Sequence, residues 1–247
     1  MARSSGKRAR RGSESNYPQS RRNKTEDTQF LQPQQAVPQV AYKEVKPLNY
    51  IQETYWDAIK NNEIVFGIGS AGTGKTFMAA SYAAGELFHR RTERIILTRP
   101  NVETGRSLGF LPGTLEEKYA PYLEPFESVF HKALGPGFYK YALESKAIEP
   151  RPLGFMRGAT FDNAIVLADE MQNATKEEFQ MLLSRIGKNC KIILSGDQMQ
   201  SDLPESGLMD AVKRLEGLPG IEVVRFLDSD IVRSKMCKQI IIAYRHN

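Results

Sequence analysis

Six small residues, Gly69-Ser70-Ala71-Gly72-Thr73-Gly74, run directly into Lys75 and Thr76. Together the eight fit G-x-x-x-x-G-K-[ST] in full. Each position has a chemical reason. Glycine permits positive φ and leaves no Cβ between an anion and the backbone N–H groups that converge on it. A helix beginning near Lys75 adds the positive end of its dipole. The Lys75 ammonium reaches the β and γ phosphates of a nucleoside triphosphate, and the Thr76 hydroxyl is a hard oxygen of the kind Mg²⁺ prefers. Gly69 through Thr76 are therefore the expected triphosphate-binding residues, and Thr76 is also an expected metal ligand.

A triphosphate site of this kind needs an acid at the end of a second apolar strand. AIVLADE (164–170) supplies it some ninety residues downstream. Asp169, at the strand's C-terminal end, is expected to hold Mg²⁺. Glu170 is expected to orient and deprotonate the attacking water, since a carboxylate is the obvious base at that place. An acid directly after the metal acid favours hydrolysis over phosphate transfer to a small acceptor, which argues against a small-molecule kinase. A third signal is KIILSGDQMQ (191–200), a strand ending in polar residues. Gln198 is read there as an amide facing the γ-phosphate and reporting its presence.

These residues need a scaffold that brings several strand ends together. Apolar, β-rich runs recur at 63–68, 94–98, 164–168, 191–195, 222–226 and 238–242, the last also compatible with a helix. None alternates strictly, which suits strands buried on both faces. Helical stretches are expected around 75–90, 175–187 and 207–217, and IQETYWDAIKNN (51–62) places Ile51, Tyr55, Trp56 and Ile59 on one helical face. Strand and helix in alternation give an α/β fold with a mostly parallel sheet and helices on both faces. Residues 103–160, rich in Gly, Pro and aromatics, read as a long insertion into this rhythm.

The chain has 247 residues and a formal net charge of +5, placed unevenly. Residues 1–24 carry eight Lys and Arg against Glu14 alone, a balance of +7, so the rest of the chain sums to −2. The expected organisation is a disordered basic arm over 1–45 and one phosphate-binding domain over 46–247. A basic arm can bind phosphate backbones without reading sequence, which points to RNA or single-stranded DNA as a partner. No run of eighteen apolar residues occurs and no secretory leader is visible, so no membrane partner is expected and a cytoplasmic location is. Cys190 and Cys237 show no metal-type spacing and read as reduced thiols.

GSAGTGKT, TRPNVETGRSLGFLPGTLEEKYAPYLEPF (98–126), ADEMQNAT (168–175) and SGDQMQSDLPESGL (195–208) together resemble the PhoH family of ATPases. That family is similar to the first motor domain of superfamily 1 helicases. The likeness spans roughly residues 47–245. It implies a RecA-like P-loop NTPase with ATP and Mg²⁺ as cofactors, acting on RNA or single-stranded DNA. By position, Gln52 matches the glutamine that reads adenine, and Arg99 a residue beside the nucleic-acid path. Gln172 matches an amide coupling hydrolysis to strand movement, and Gln198 the motif III sensor. Arg233 falls where the family shows an arginine followed by histidine, although Ser234 stands in the histidine's place. Met171 replaces a usual alanine. Lys118, Tyr119, Tyr122 and Phe126 suit either base stacking or a core helix.

A helicase closes its ATP site with an arginine from a second motor domain. This chain has one set of motifs, so an arginine from a neighbouring subunit, Arg233 or Arg157, is expected, and the resemblance favours a hexamer. No nuclease-like or KH-type segment is visible, and a bare ATPase module of the kind frequent in phage genomes is expected. Two other functions remain open: a nucleotide-gated assembly factor without motor activity, and a P-loop small-molecule kinase.

Overall fold

The structure, a computed structural model, describes residues 42–100, 123–203 and 205–245. The expected basic arm lies almost wholly outside these residues, as do Lys118, Tyr119 and Tyr122. In chain order the main elements are α1 (Tyr50–Asn61), β1 (Ile64–Gly69), α2 (Lys75–Phe88), β2 (Arg94–Thr98), α3 (Glu124–Glu144) and β3 (Ile148–Pro150). They continue as β4 (Ala164–Ala168), α4 (Lys176–Leu183), β5 (Lys191–Gly196), α5 (Gly207–Leu215), β6 (Ile221–Phe226) and α6 (Lys235–Arg245).

The six strands form one sheet in the order β3-β2-β4-β5-β1-β6, and every pair is parallel. Successive side chains of β1, β2, β4, β5 and β6 feed two different cores. Val65, Ile95, Leu97, Ile165, Leu167, Ile193 and Val224 face α1, α2 and α3. Phe66, Ile96, Val166, Ile192, Leu194 and Val223 face α4, α5 and the 3₁₀ turn Leu153–Met156. Burial on both faces explains why the four inner strands, β1, β2, β4 and β5, read as mostly apolar runs. The expected α/β architecture, a parallel sheet with helices on both faces, is the one observed.

Two parts depart from the sequence reading. The stretch read as an insertion contributes α3, whose Val129, Phe130 and Ala133 join the core beside α2, and the edge strand β3. Gly135 (φ 76°, ψ 155°) and Pro136 kink α3, because that glycine leaves the helical region and the proline has no N–H to continue the ladder. The last apolar run is helical: it lies in α6, none of whose described side chains is buried. Among the described residues no helix is long and apolar enough to cross a membrane. Cys190 is buried and Cys237 half-buried, both as free thiols.

The strand order has a functional consequence. β5 lies between β1 and β4, so its C-terminal end emerges between the loop that follows β1 and the acidic pair that follows β4. Chemistry-bearing residues far apart in sequence thus meet at one edge of the sheet, where ligands of open parallel sheets bind.

Candidate functional site

The loop from Gly69 to Gly74 leaves β1 with glycines at positive φ: 128° at Gly69, 76° at Gly72 and 89° at Gly74. Gly69 is required twice over. Its φ is rarely open to other residues, and a Cβ there would lie 1.9 Å from the Phe226 carbonyl oxygen. Lys75 begins α2 and folds back under the loop, its Nζ donating to Gly69 O and Ser70 O, both at 2.7 Å. The ammonium is thus held at the loop's centre, nearly buried, at the N-terminal end of a fourteen-residue helix. Thr76 follows on the first turn, and its hydroxyl donates to Asp169 Oδ1 at 2.9 Å.

Asp169 gathers polar groups from two strand ends and from the first turn of α2. Ser195 Oγ donates to Oδ1 at 3.0 Å, and the Arg99 guanidinium pairs with Oδ2. Beneath it the Tyr55 phenol is fully buried, its pKa pushed up first by burial and then by the Asp169 charge. The Thr76 and Ser195 hydroxyls each lie within hydrogen-bond reach of Asp169 Oδ1, and these hard oxygens are a donor set that fits Mg²⁺, which takes one or two protein oxygens and completes its shell with phosphate and water. Glu170 stands next to it in a left-handed conformation (φ 55°, ψ 34°), unusual for a residue with a side chain. Its carboxylate accepts from Gln172 Nε2 at 2.6 Å.

Of these residues Lys75, Thr76, Arg99, Asp169 and Glu170 line one cavity of about 590 Å³. At one end lie Leu48, Gln52 and Val232, and at the other Arg99, Asp169, Glu170 and Asp197, with Gly72, Gly74 and Lys75 between. Gln52 is buried, and Asn49 caps α1 by accepting the Gln52 N–H, which fixes the glutamine's place. Its Nε2 donates to Thr73 O at 2.9 Å, and its Oε1 accepts from Leu48 N at 2.8 Å.

Three further residues singled out in the sequence are placed as follows. Arg99, expected beside a nucleic-acid path, turns into the cavity and onto Asp169. Arg233, expected to reach a neighbouring subunit, lines its own chain's cavity, its side chain lying against Gly72. It is brought there by a strap, residues 227–233, tied to the loop where Val232 N donates to Gly72 O at 3.0 Å and Ser70 Oγ donates to Asp228. Gln198 is exposed, while Asp197 and Gln200, one residue to either side of the Gln198-Met199 pair, line the cavity. The reason is local: the chain turns through a 3₁₀ segment at Gln198–Gln200, capped by Asp197.

Sequence reasoning misses Asp197, Asp228, Gln200 and Lys132. Asp197 and Gln200 sit within the polar strand end of KIILSGDQMQ, so their signal is present but points to the wrong side chain. Lys132, on α3, and Asp228, on the strap, lack any local signal, since only the tertiary fold brings them to the loop.

Parallel sheet, phosphate loop after β1 and acidic pair after β4 define a P-loop NTPase fold. The family described as PhoH-like protein matches residues 44–245, and the chain belongs to that family. Curated relatives include a PhoH-like protein of Mycobacterium tuberculosis, 43% identical over 205 residues, covering 82% of this chain and 58% of that one. Protein PhoH of Escherichia coli is 43% identical over 201 residues (79% of this chain, 57% of that one), and a PhoH-like protein of Bacillus subtilis 45% over 196 (78% and 61%). The chain thus spans about three-fifths of the length of these relatives. Among solved structures, the UvsW helicase of bacteriophage T4 aligns with TM-score 0.44 at 13% identity, over 76% of this chain and 64% of that one. The Pif1 helicase of Candida albicans aligns with TM-score 0.39 at 14% identity, over 74% and 40%.

Proposed function

We propose that the protein is a Mg²⁺-dependent ATPase that works on RNA or single-stranded DNA. The observation that carries the hydrolytic part is the convergence of Lys75, Thr76, Asp169 and Glu170 on one cavity, with Thr76 Oγ1 2.9 Å from Asp169 Oδ1. The triphosphate lies along the loop amides, with Lys75 on its β and γ phosphates. Thr76 and Asp169 would hold Mg²⁺, which would supply charge neutralisation at the phosphates. Glu170, braced by Gln172, aligns a water with the terminal phosphate and takes its proton.

The opposite end of the cavity suits a base. Leu48 and Val232 give it apolar walls, and Gln52 keeps one amide hydrogen and one carbonyl lone pair beyond the two bonds it makes. That pair of functions complements the donor–acceptor edge of adenine. Arg233, inside the same cavity, supplies positive charge to the terminal phosphate from within the chain. Arg157 is exposed and lies outside the cavity, as suits a residue that completes the site of a neighbouring copy in a homo-oligomer. The nucleic-acid part is supported by the charge of residues 1–24.

The test is a turnover assay with Mg·ATP across a panel of RNA and single-stranded DNA oligonucleotides, beside a native mass measurement. Stimulation by an oligonucleotide is expected. No turnover under any condition overturns the ATPase reading, and turnover indifferent to every oligonucleotide overturns the nucleic-acid reading alone.

A further inference from the structure

The amide at the reacting end of the phosphate loop is held by a carboxylate. Ala71 N–H donates to Asp197 Oδ2 at 3.0 Å. Ala71 precedes Lys75 by four residues, on the arm of the loop that faces the ends of β4 and β5, where Glu170 and Asp197 stand. A bound terminal phosphate would meet that arm. Both it and Asp197 are anions, and both seek the same N–H, so the two compete.

The outcome of that competition has a route to the base. Asp197 is nearly fully buried, its other oxygen Oδ1 accepting from Met199 N at 3.2 Å. Its own N–H donates to Gln172 Oε1 at 3.0 Å, and Gln172 Nε2 donates to Glu170. The two strand-end segments are laced together further on. Ser201 Oγ donates to Gln172 O at 3.0 Å, and Asp202 N to Asn173 Oδ1 at 2.8 Å. Gly196 lets them meet: a Cβ there would lie 3.0 Å from both Gln172 N and Gln172 Oε1. A displacement of Asp197 therefore has a hydrogen-bonded route to Gln172, and through it to Glu170.

We propose that Asp197 is the positioning residue by which this site distinguishes a triphosphate from a diphosphate. It yields the Ala71 amide to the terminal phosphate, and Gln172 passes that movement to Glu170. A diphosphate leaves the Asp197–Ala71 bond in place. The base is then aligned only when there is a bond to cleave. The proposal rests on the site being an ATPase site, as argued above.

The experiment measures the affinities of Mg·ADP and of a non-hydrolysable Mg·ATP analogue by calorimetry, for the wild-type full chain, Asp197→Asn and Asp197→Ala. Thermal melts confirm that each variant is folded. Losing the carboxylate charge removes its repulsion of the terminal phosphate, so the analogue-to-ADP affinity ratio rises about tenfold in both variants. In Asp197→Asn, kcat for Mg·ATP falls while its KM does not rise, a split that a merely structural role would not produce. An unchanged ratio in two folded variants overturns the proposal, and so does a ratio that falls. A wild-type protein that takes up neither nucleotide overturns the nucleotide site itself, an outcome distinct from either.

Discussion

Arg99 and Asp169 form an ion pair in which the guanidinium takes one carboxylate oxygen while Thr76 and Ser195 share the other. Arg99 directly follows β2 and Asp169 directly follows β4, and the two strands are neighbours, so the pair is set by sheet register. Both side chains are largely shielded, at 15% and 6% exposure, so the interaction is weakly screened. In the proposed site, Mg²⁺ would seek the same carboxylate as the guanidinium. Arg99→Ala is therefore expected to lower the Mg²⁺ concentration needed for nucleotide binding by about tenfold. It is also expected to cost about 1–3 kcal/mol of stability, because Asp169 loses a charged partner in a shielded place. Mg·ADP should recover most of that loss. Melts with and without Mg·ADP, and a Mg²⁺ titration at fixed ADP, check both expectations. An unchanged Mg²⁺ requirement removes the competition between the two cations.

In the proposed mechanism Lys75 and Glu170 serve different steps, so their variants should separate. Lys75→Ala removes an ammonium that bonds two loop carbonyls as well as the charge meant for the phosphates. Nucleotide affinity is expected to fall by about 10² or more, from the loss of charge-assisted bonds. Glu170→Gln keeps an acceptor for Gln172 but cannot take a proton. Its affinity should stay within about twofold while turnover falls by roughly 10²–10⁴. Calorimetry and a phosphate-release assay read the two effects, and normal turnover in Glu170→Gln would take the base assignment away.

Much of this site can be read in the chain because its chemistry is local. The phosphate loop and the acidic pair are contiguous stretches at strand ends, and the apolar runs of β1, β2, β4 and β5 announce themselves by burial on both faces. What escapes is what only tertiary structure creates. Helix α3 is hidden by the Gly135–Pro136 interruption of its period, and β3 is three residues long. Arg233 reads as a residue for a neighbouring subunit because nothing local shows that residues 227–233 fold back over the loop. Gln198 reads as the sensor only if the strand end continues straight, whereas it turns through a 3₁₀ segment. Arg99 stands in the cavity for a similar reason, since its partner Asp169 is seventy residues away.

The basic arm gives a prediction independent of the cavity. Residues 1–24 hold eight of the chain's 34 Lys and Arg, in a segment with little to bury. If the arm neutralises phosphates on a nucleic acid, deleting residues 1–24 weakens binding and flattens its salt dependence. The slope of log K against log salt changes by about 0.7 for each single-strand phosphate that the arm no longer neutralises. Filter binding at several salt concentrations measures it, and ATP affinity should not change. An identical slope in the deletion assigns the binding surface elsewhere on the chain.

Gln52 joins the start of α1 to the phosphate loop, and two substitutions can tell this bracing from the proposed base recognition. Its amide nitrogen braces Thr73 O and its carbonyl oxygen takes Leu48 N, so the side chain holds the loop against the start of α1. Gln52→Glu keeps the size but replaces the donor with an acceptor. The Thr73 carbonyl then faces a carboxylate, and stability is expected to drop by about 1–3 kcal/mol. Gln52→Ala removes both hydrogen bonds and leaves a gap beside Gly74, with a destabilisation of similar size. If the remaining amide hydrogen and lone pair recognise adenine, both variants also lose the preference for ATP over GTP, by about tenfold from a mismatched hydrogen-bonding edge. A wild-type protein that binds ATP and GTP equally would leave Gln52 as a brace alone. A drop in stability with the preference intact would place the base-reading group on another residue of the same end of the cavity.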